Sequence, residues 1–181
     1  VNNLSYVLDA ADTMRSEPDV LFVLLGSGIE RARLEERVRR TGLTNVQLLT
    51  GVPKTDLPRI VASADISTVT VLPIPELQAN SANKFFDSLS AGLPIVLNYR
   101  GWQARILEEA DAGFAVEQGD LVGYVDAIRR LAQNPALRRH MGANGRRLAE
   151  HCYGRDEAAA TVLALLSRVT SDRNPDTEPT A

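Results

Sequence analysis

The segment Ser81-Ala-Asn-Lys-Phe-Phe-Asp-Ser-Leu-Ser-Ala-Gly-Leu-Pro-Ile-Val96 leaves this chain few folding options. It reads as a loop, a short helix and a buried strand in direct succession. Gly92 stands where a left-handed residue ends a helix, and Pro94 forbids continuation. At about 100° per residue, Phe85 and Leu89 share the stripe that must be buried, with Phe86 at its edge. Asn83 and Asp87 fall one turn apart on another face. Residues 73–82, just before, have no hydrophobic periodicity and read as a long irregular loop. A helix N-terminus, a side-chain carbonyl and a carboxylate are therefore presented together. That combination suits a ligand carrying both phosphate and hydroxyl groups.

The rest of the pattern is strands alternating with helices. Leu21-Phe-Val-Leu-Leu25 is a continuous apolar run closed by Gly26-Ser-Gly28, as a buried parallel strand would be. Further short strands are expected at 46–49, 66–72, 94–97 and 113–116, and helices at 4–16, 29–41, 57–62, 103–110, 121–133, 135–152 and 155–171. Such alternation implies parallel crossovers: a Rossmann-like open α/β sheet with helices on both faces and a helical C-terminal part. In these sheets ligands lie beyond the carboxyl ends of the strands. The turns at 26–28 and 50–54 and the loop at 73–84 all follow strands. They are expected on one edge. The chain opens on a helix, whereas a sheet of this kind opens on its central strand, so the first strand is apparently missing. Residues 172–181, rich in Pro, Thr, Asp and Glu, read as a disordered tail after a domain covering 1–171.

The 181 residues are enough for one domain with a substantial core. A net charge of −3 argues against a nucleic-acid binder that works by bulk electrostatics. No apolar run reaches the roughly 20 residues of a membrane span. Cys152 is the single cysteine, and no Cys/His cluster has metal spacing, so neither a disulfide nor a metal is expected and a reducing, cytoplasmic setting is the default.

Taken alone, several residues have plain readings. Asp87 reads as a solvated helix residue, and Lys84 as its i,i+3 ion-pair partner. Gly26-Ser-Gly28 lacks the third glycine of a dinucleotide fingerprint and reads as a turn. The arginines at 31, 33, 37, 39 and 40 interleave with Glu30, Glu35 and Glu36, the pattern of a solvated face. His140 and His151 read as surface residues. Trp102 reads equally as a packing residue or as a neighbour of a bound sugar. Arg138, Arg139, Arg146 and Arg147 form a more basic patch, an ordinary surface or a contact for an anionic membrane.

Five segments in order change the weighting. They are Phe22-Val-Leu-Leu-Gly-Ser-Gly28 with Glu30-Arg-Ala-Arg-Leu-Glu35, Asn45-Val-Gln-Leu-Leu-Thr-Gly-Val-Pro53, Asn83 to Val96, Glu108-Glu-Ala-Asp-Ala-Gly-Phe-Ala-Val116, and Asn134-Pro-Ala-Leu-Arg-Arg-His-Met-Gly142. Together they resemble the C-terminal, donor-binding domain of group 1 glycosyltransferases, a retaining family with the two-domain GT-B fold. The Asn-Lys-Phe-Phe-Asp motif and Gly101-Trp102 are most similar to the branch that builds cell-surface polysaccharides.

The resemblance implies a role for each matching position. Asp87 would accept hydrogen bonds from the nucleotide ribose hydroxyls. Backbone amides at Ser81 and Asn83 would take the diphosphate, with Lys84 adding a point charge. Gly51 and Val52, in the turn at 50–53, would meet the base, and Gly26 and Ser27 would allow close approach of the chain. The family's first acidic residue, eight positions before Asp87, is Ala79 here, so its role falls to Glu76 or Asn80 or is lost. The implied partners are a nucleotide-sugar donor, UDP-linked in this branch, and a lipid-linked or glycan acceptor held by a separate N-terminal domain. Peripheral contact with the inner face of the plasma membrane accompanies such acceptors. The resemblance further implies that this piece is inactive alone and that its sheet has an unfilled central slot. Two rival readings are a UDP-sugar epimerase of the same fold and a non-enzymatic α/β binding module.

Overall fold

The structure, a computed structural model, describes residues 2–171; the side chains of 155 and 171 and the expected tail at 172–181 lie outside that description. The order of elements is α1 (Leu4–Thr13), β1 (Phe22–Leu25), α2 (Arg31–Thr41), β2 (Val46–Leu49), α3 (Leu57–Val61), β3 (Ser67–Val69), a 3-10 turn (Pro75–Ala79), α4 (Asn83–Ser90), β4 (Ile95–Leu97), α5 (Trp102–Glu109), β5 (Gly113–Ala115), α6 (Leu121–Gln133), α7 (Pro135–Cys152) and α8 (Arg155–Ser171). The alternation expected from the sequence is present throughout its first half.

All strand pairing is parallel. It falls into two sheets, β1-β2 and β3-β4-β5, and among the described residues no ladder joins β1 to β3. Helices cover both faces because strand side chains alternate. On β4, Val96 enters a core with Tyr6, Val7 and Ala10 of α1, Phe22 of β1, and Tyr124, Ile128 and Leu131 of α6. Its neighbours Ile95 and Leu97 enter the opposite core with Val69, with Phe85 and Leu89 of α4, and with Ala104 and Leu107 of α5. Each fully buried Leu or Ile of this kind contributes about 1.5–3 kcal/mol.

Local signals set most boundaries. Asp120 caps α6 by accepting from the Gly123 amide at 2.9 Å, and Asn134 caps α7 by accepting from the Leu137 amide at 3.0 Å. Pro135 occupies the first turn of α7. Gly92 follows α4 with φ of 71°, the left-handed terminator its position predicts.

Three expectations need correction. The strand expected at 66–72 pairs only over Ser67–Val69, because beyond it the Asn98 side chain takes over from the β4 backbone: its Oδ1 accepts from the Val71 amide at 2.8 Å and its Nδ2 donates to the Val71 carbonyl at 3.0 Å. The first strand is not buried on both faces; Phe22 is buried but Val23 is 49% exposed. Residues 73–82 are not wholly irregular, since Pro75 starts a 3-10 turn that runs to Ala79.

Candidate functional site

The carboxyl ends of β1, β2 and β3 carry the three connections singled out by the sequence. Gly26 follows β1, and its amide donates to the Leu49 carbonyl at 3.1 Å, one step past the ladder. Gly51 follows β2 and faces the Gly26 backbone with no side chain between them. A Cβ placed on Gly51 would sit 3.7 Å from the Gly26 Cα and 3.8 Å from the Ser27 nitrogen. Gly26 itself has φ of 146°, a conformation few other residues adopt. Ser27, Gly51 and Val52 are exposed at this edge. The structure therefore unites these four residues, which lie a strand and a helix apart in the chain.

Arg31 was not among the expected site residues, yet it joins these turns. Its Nη1 donates to the carbonyls of Gly26 and Leu49, each at 2.9 Å, and its Nη2 lies 3.4 Å from the Leu48 carbonyl. Its Nε bonds Glu35 at 2.6 Å. The alternating charges of α2 concealed it, since a solvated Glu/Arg face and a backbone clasp have the same sequence pattern. The nearest available signal was its place three residues after Gly28, at the first position of the helix.

The third connection leads into α4. Ala82 is the N-cap, extended at φ −73° and ψ 118°, and no side chain caps the helix. Ala is among the weakest N-caps, about 1 kcal/mol poorer than Ser or Asp. The first amides of α4 therefore keep their capacity for an anion, with the positive end of the helix dipole behind them. Ser81, Asn83 and Asp87 are exposed, and Phe85, Ser88 and Leu89 are buried, as the helical spacing predicts. Ser88 anchors the inner face: its hydroxyl donates to the Lys84 carbonyl at 2.6 Å and meets the Ser67 hydroxyl on β3.

Lys84 is half-buried, and its Nζ donates to Asn2 Oδ1 at 2.7 Å. The ammonium thus turns to Asn2 rather than to Asp87, the i,i+3 partner expected from the sequence. Burial pushes the Lys84 ammonium below the ordinary lysine value of 10.5. An anion beside it would reverse that effect.

The loop at 73–82 is held by the connection that follows β4. Gly101, with φ of 129°, lies so close to the Gln78 backbone that an added Cβ would overlap the Gln78 carbonyl oxygen. Trp102 Nε1 lies 3.4 Å from the Ala79 carbonyl, and its ring packs against Phe86, centroids 6.2 Å apart, and Phe85, at 6.5 Å. Its contacts are thus packing contacts. Glu76 and Ala79 are exposed and Asn80 is half-buried.

Elsewhere the plain readings hold. His140 and His151 are exposed on α7, and His140 pairs with Asp111 at 3.0 Å. Two arginines of the basic patch are occupied by carbonyls. Arg138 binds those of Leu131 and Ala132, each at 2.7 Å, and Arg146 binds that of Ser90. Among the described residues, no three His, Cys, Asp or Glu side chains are grouped to hold a metal ion. No described helix is long and apolar enough to cross a membrane. A hollow of about 560 Å³ is lined by α1 and α2 residues such as Ser5, Arg33 and Arg37 and shares no lining residue with the turns above.

Comparison with known proteins identifies the fold and the family. Spore coat protein SA of Bacillus subtilis is 23% identical over 168 residues, covering 87% of this chain and 43% of that protein. The lipopolysaccharide core biosynthesis glycosyltransferase LpsD of Rhizobium meliloti is 26% identical over 150 residues, covering 83% and 42%. The chain thus spans less than half the length of these curated relatives. The crystal structure of Anabaena HepE in complex with UDP-glucose superposes with a TM-score of 0.77 at 19% identity, over 92% of this chain and 45% of that one. That likeness is one of fold, and the fold is half of a GT-B glycosyltransferase. The profile of the family described as glycosyl transferases group 1 matches residues 1–148, and the chain belongs to that family.

Proposed function

We propose that the described residues form the donor-binding side of a retaining glycosyltransferase that takes a UDP-linked sugar. The observation that carries this reading is the pairing of an uncapped helix start with exposed Asn83 and Asp87, one turn apart, at the carboxyl edge of a parallel sheet. Asp87 offers two carboxylate oxygens to the vicinal ribose hydroxyls. The first amides of α4 and the Lys84 ammonium take the diphosphate. Gly51 and Val52 face the base, and Gly26 and Ser27 leave room for it. Membership of the family and the UDP-glucose complex of HepE support the same assignment.

In this reading the chemistry is the passage of a sugar from the diphosphate to an acceptor hydroxyl with its anomeric configuration kept. The residues act by position and charge. Helix amides and Lys84 stabilise the negative charge that develops on the departing diphosphate. The acceptor is proposed to be a glycan or lipid-linked sugar of cell-envelope polysaccharide, in keeping with the lipopolysaccharide core biosynthesis in which LpsD is a glycosyltransferase. Acceptor recognition is assigned to a separate domain.

Calorimetric titration of UDP-, GDP- and ADP-sugars into the wild-type protein and an Asp87→Ala variant tests the proposal. Preference for the UDP-sugar, lost with the carboxylate, supports it. Indifference of affinity to the substitution removes the ribose assignment, and proton NMR of the product reports the anomeric outcome.

A further inference from the structure

We infer that Arg31 is a positioning residue that sets the distance between the two base-side turns, and through it the discrimination between nucleobases. The inference rests on the donor-site reading above and extends it to a residue that touches no ligand.

Parallel strands end with carbonyls crowding toward the ligand edge. Here three of them, from Gly26, Leu48 and Leu49, lie on one guanidinium. Two belong to β2 and one to the turn after β1. The fork therefore spans the junction between the two connections rather than stiffening either alone. Without it, only the Gly26 amide to Leu49 carbonyl bond at 3.1 Å would hold the junction beyond the ladder. Glu35 fixes the guanidinium from the other side through Nε, so its orientation is set before any ligand arrives. The rigid planar fork matters: Lys carries the same charge but makes no planar multi-donor contact.

The second consequence is electrostatic. Three carbonyl oxygens at the edge would repel a nucleotide's phosphates. A guanidinium bonded to them offsets that repulsion. The two turns run close together: a single methyl on Gly51 would already stand in van der Waals contact with the Gly26 backbone, 3.7 Å from its Cα. A small shift of one turn against the other would change which base fits.

The test compares wild type with Arg31→Met, Arg31→Lys and Arg39→Met. Arg39 lies on the same helix and pairs with Glu36 in solvent, so its variant controls for the loss of one charge. Dissociation constants for UDP and GDP are measured for all four, together with hydrogen exchange at the Gly26 amide, which is bonded to the Leu49 carbonyl across the junction. The expected result is a UDP affinity about tenfold weaker in Arg31→Met, the loss of one charge-assisted contact set. The ratio of the two dissociation constants moves toward one in both Arg31 variants. Exchange at Gly26 accelerates in both, and Arg39→Met resembles wild type throughout. An unchanged ratio, or a ratio fully restored by Arg31→Lys, overturns the inference by showing that charge alone or nothing is at work. Should Arg31→Met fail to fold, the ratio and the exchange rates of Arg31→Lys decide in the same way. Wild type that binds neither nucleotide defeats the donor reading and base discrimination together, while faster exchange in the variants would still locate the clasp.

Discussion

The side-chain amide of Asn98 forms a two-bond ring with the backbone of Val71, 2.8 Å from the Val71 nitrogen and 3.0 Å from its oxygen. Both residues are buried, at 2% and 1% exposure. One side chain thereby imitates a strand where β4 departs, and it fixes the exit of β3 into the loop at 73–82.

Asn98→Ala leaves a buried donor and acceptor unpaired at Val71. Each such group costs about 1–3 kcal/mol, so a loss of about 2–4 kcal/mol in stability is expected from urea denaturation. Asn98→Asp keeps the acceptor and loses the donor. Its destabilisation exceeds that of an exposed Asn→Asp change by on the order of 1–3 kcal/mol.

Gly101→Ala forces the Pro75–Ala79 turn away from its seat, because the Cβ and the Gln78 carbonyl oxygen cannot share the space and φ of 129° is strained for alanine. If that turn borders the sugar, transfer by the enzyme that also carries the acceptor domain falls by about a hundredfold, the cost of a misplacement near 1 Å. UDP affinity, which depends on α4 and the base-side turns, changes far less. Steady-state kinetics beside UDP titration separates the two. Equal losses in both would place the turn at the nucleotide instead.

Asp87→Ala removes two charge-assisted acceptors at an exposed position, so stability is nearly unchanged. UDP affinity falls by roughly ten- to a hundredfold, corresponding to about 1.5–3 kcal/mol. Asp87→Asn retains one acceptor and recovers part of the loss.

Lys84 gives a pH-linked signature. Burial lowers its pKa below 10.5, so the folded protein binds fewer protons there than the unfolded chain in the window between the lowered value and 10.5. Stability from this group therefore rises with pH through that window. A bound diphosphate restores the charge, so nucleotide binding in the same window takes up protons. Titrations in buffers of different ionisation enthalpy measure that uptake, and Lys84→Met abolishes it.

Tyr6 and Tyr99 carry the opposite sign. Burial raises both to about 12, with Asp120 and Asp9 adding to the effect on Tyr6. Their stabilisation is complete below the unfolded value of 10.0 and is lost as pH climbs toward 12, on the order of 2–3 kcal/mol each. The Tyr6 hydroxyl is buried without a partner. Tyr6→Phe therefore costs nothing at neutral pH, and it flattens the alkaline limb of the stability curve.

The fold was legible because its determinants are local. Runs such as Phe22 to Leu25, terminators such as Gly92 and caps such as Asp120 and Asn134 act within a few residues, and α6, α7 and α8 fall where the periodicity puts them. Asn83 and Asp87 were legible for the same reason, since helical spacing alone sets which face they share. Arg31, Asn98 and Gly101 were not. Arg31 looks like any arginine on a charged helix, Asn98 like a polar residue at a strand end, and Gly101 like a turn. Their work is done on Gly26, Leu49, Val71 and Gln78, whose nearness is created only when the strands pair and the loops pack. Sequence by itself determined which segments become strands and helices and which residues line each helix face, because those depend on neighbours along the chain. Tertiary structure alone decided which backbones touch and which side chains clasp them, because hydrogen bonds and steric exclusion depend on distances that the chain order does not contain.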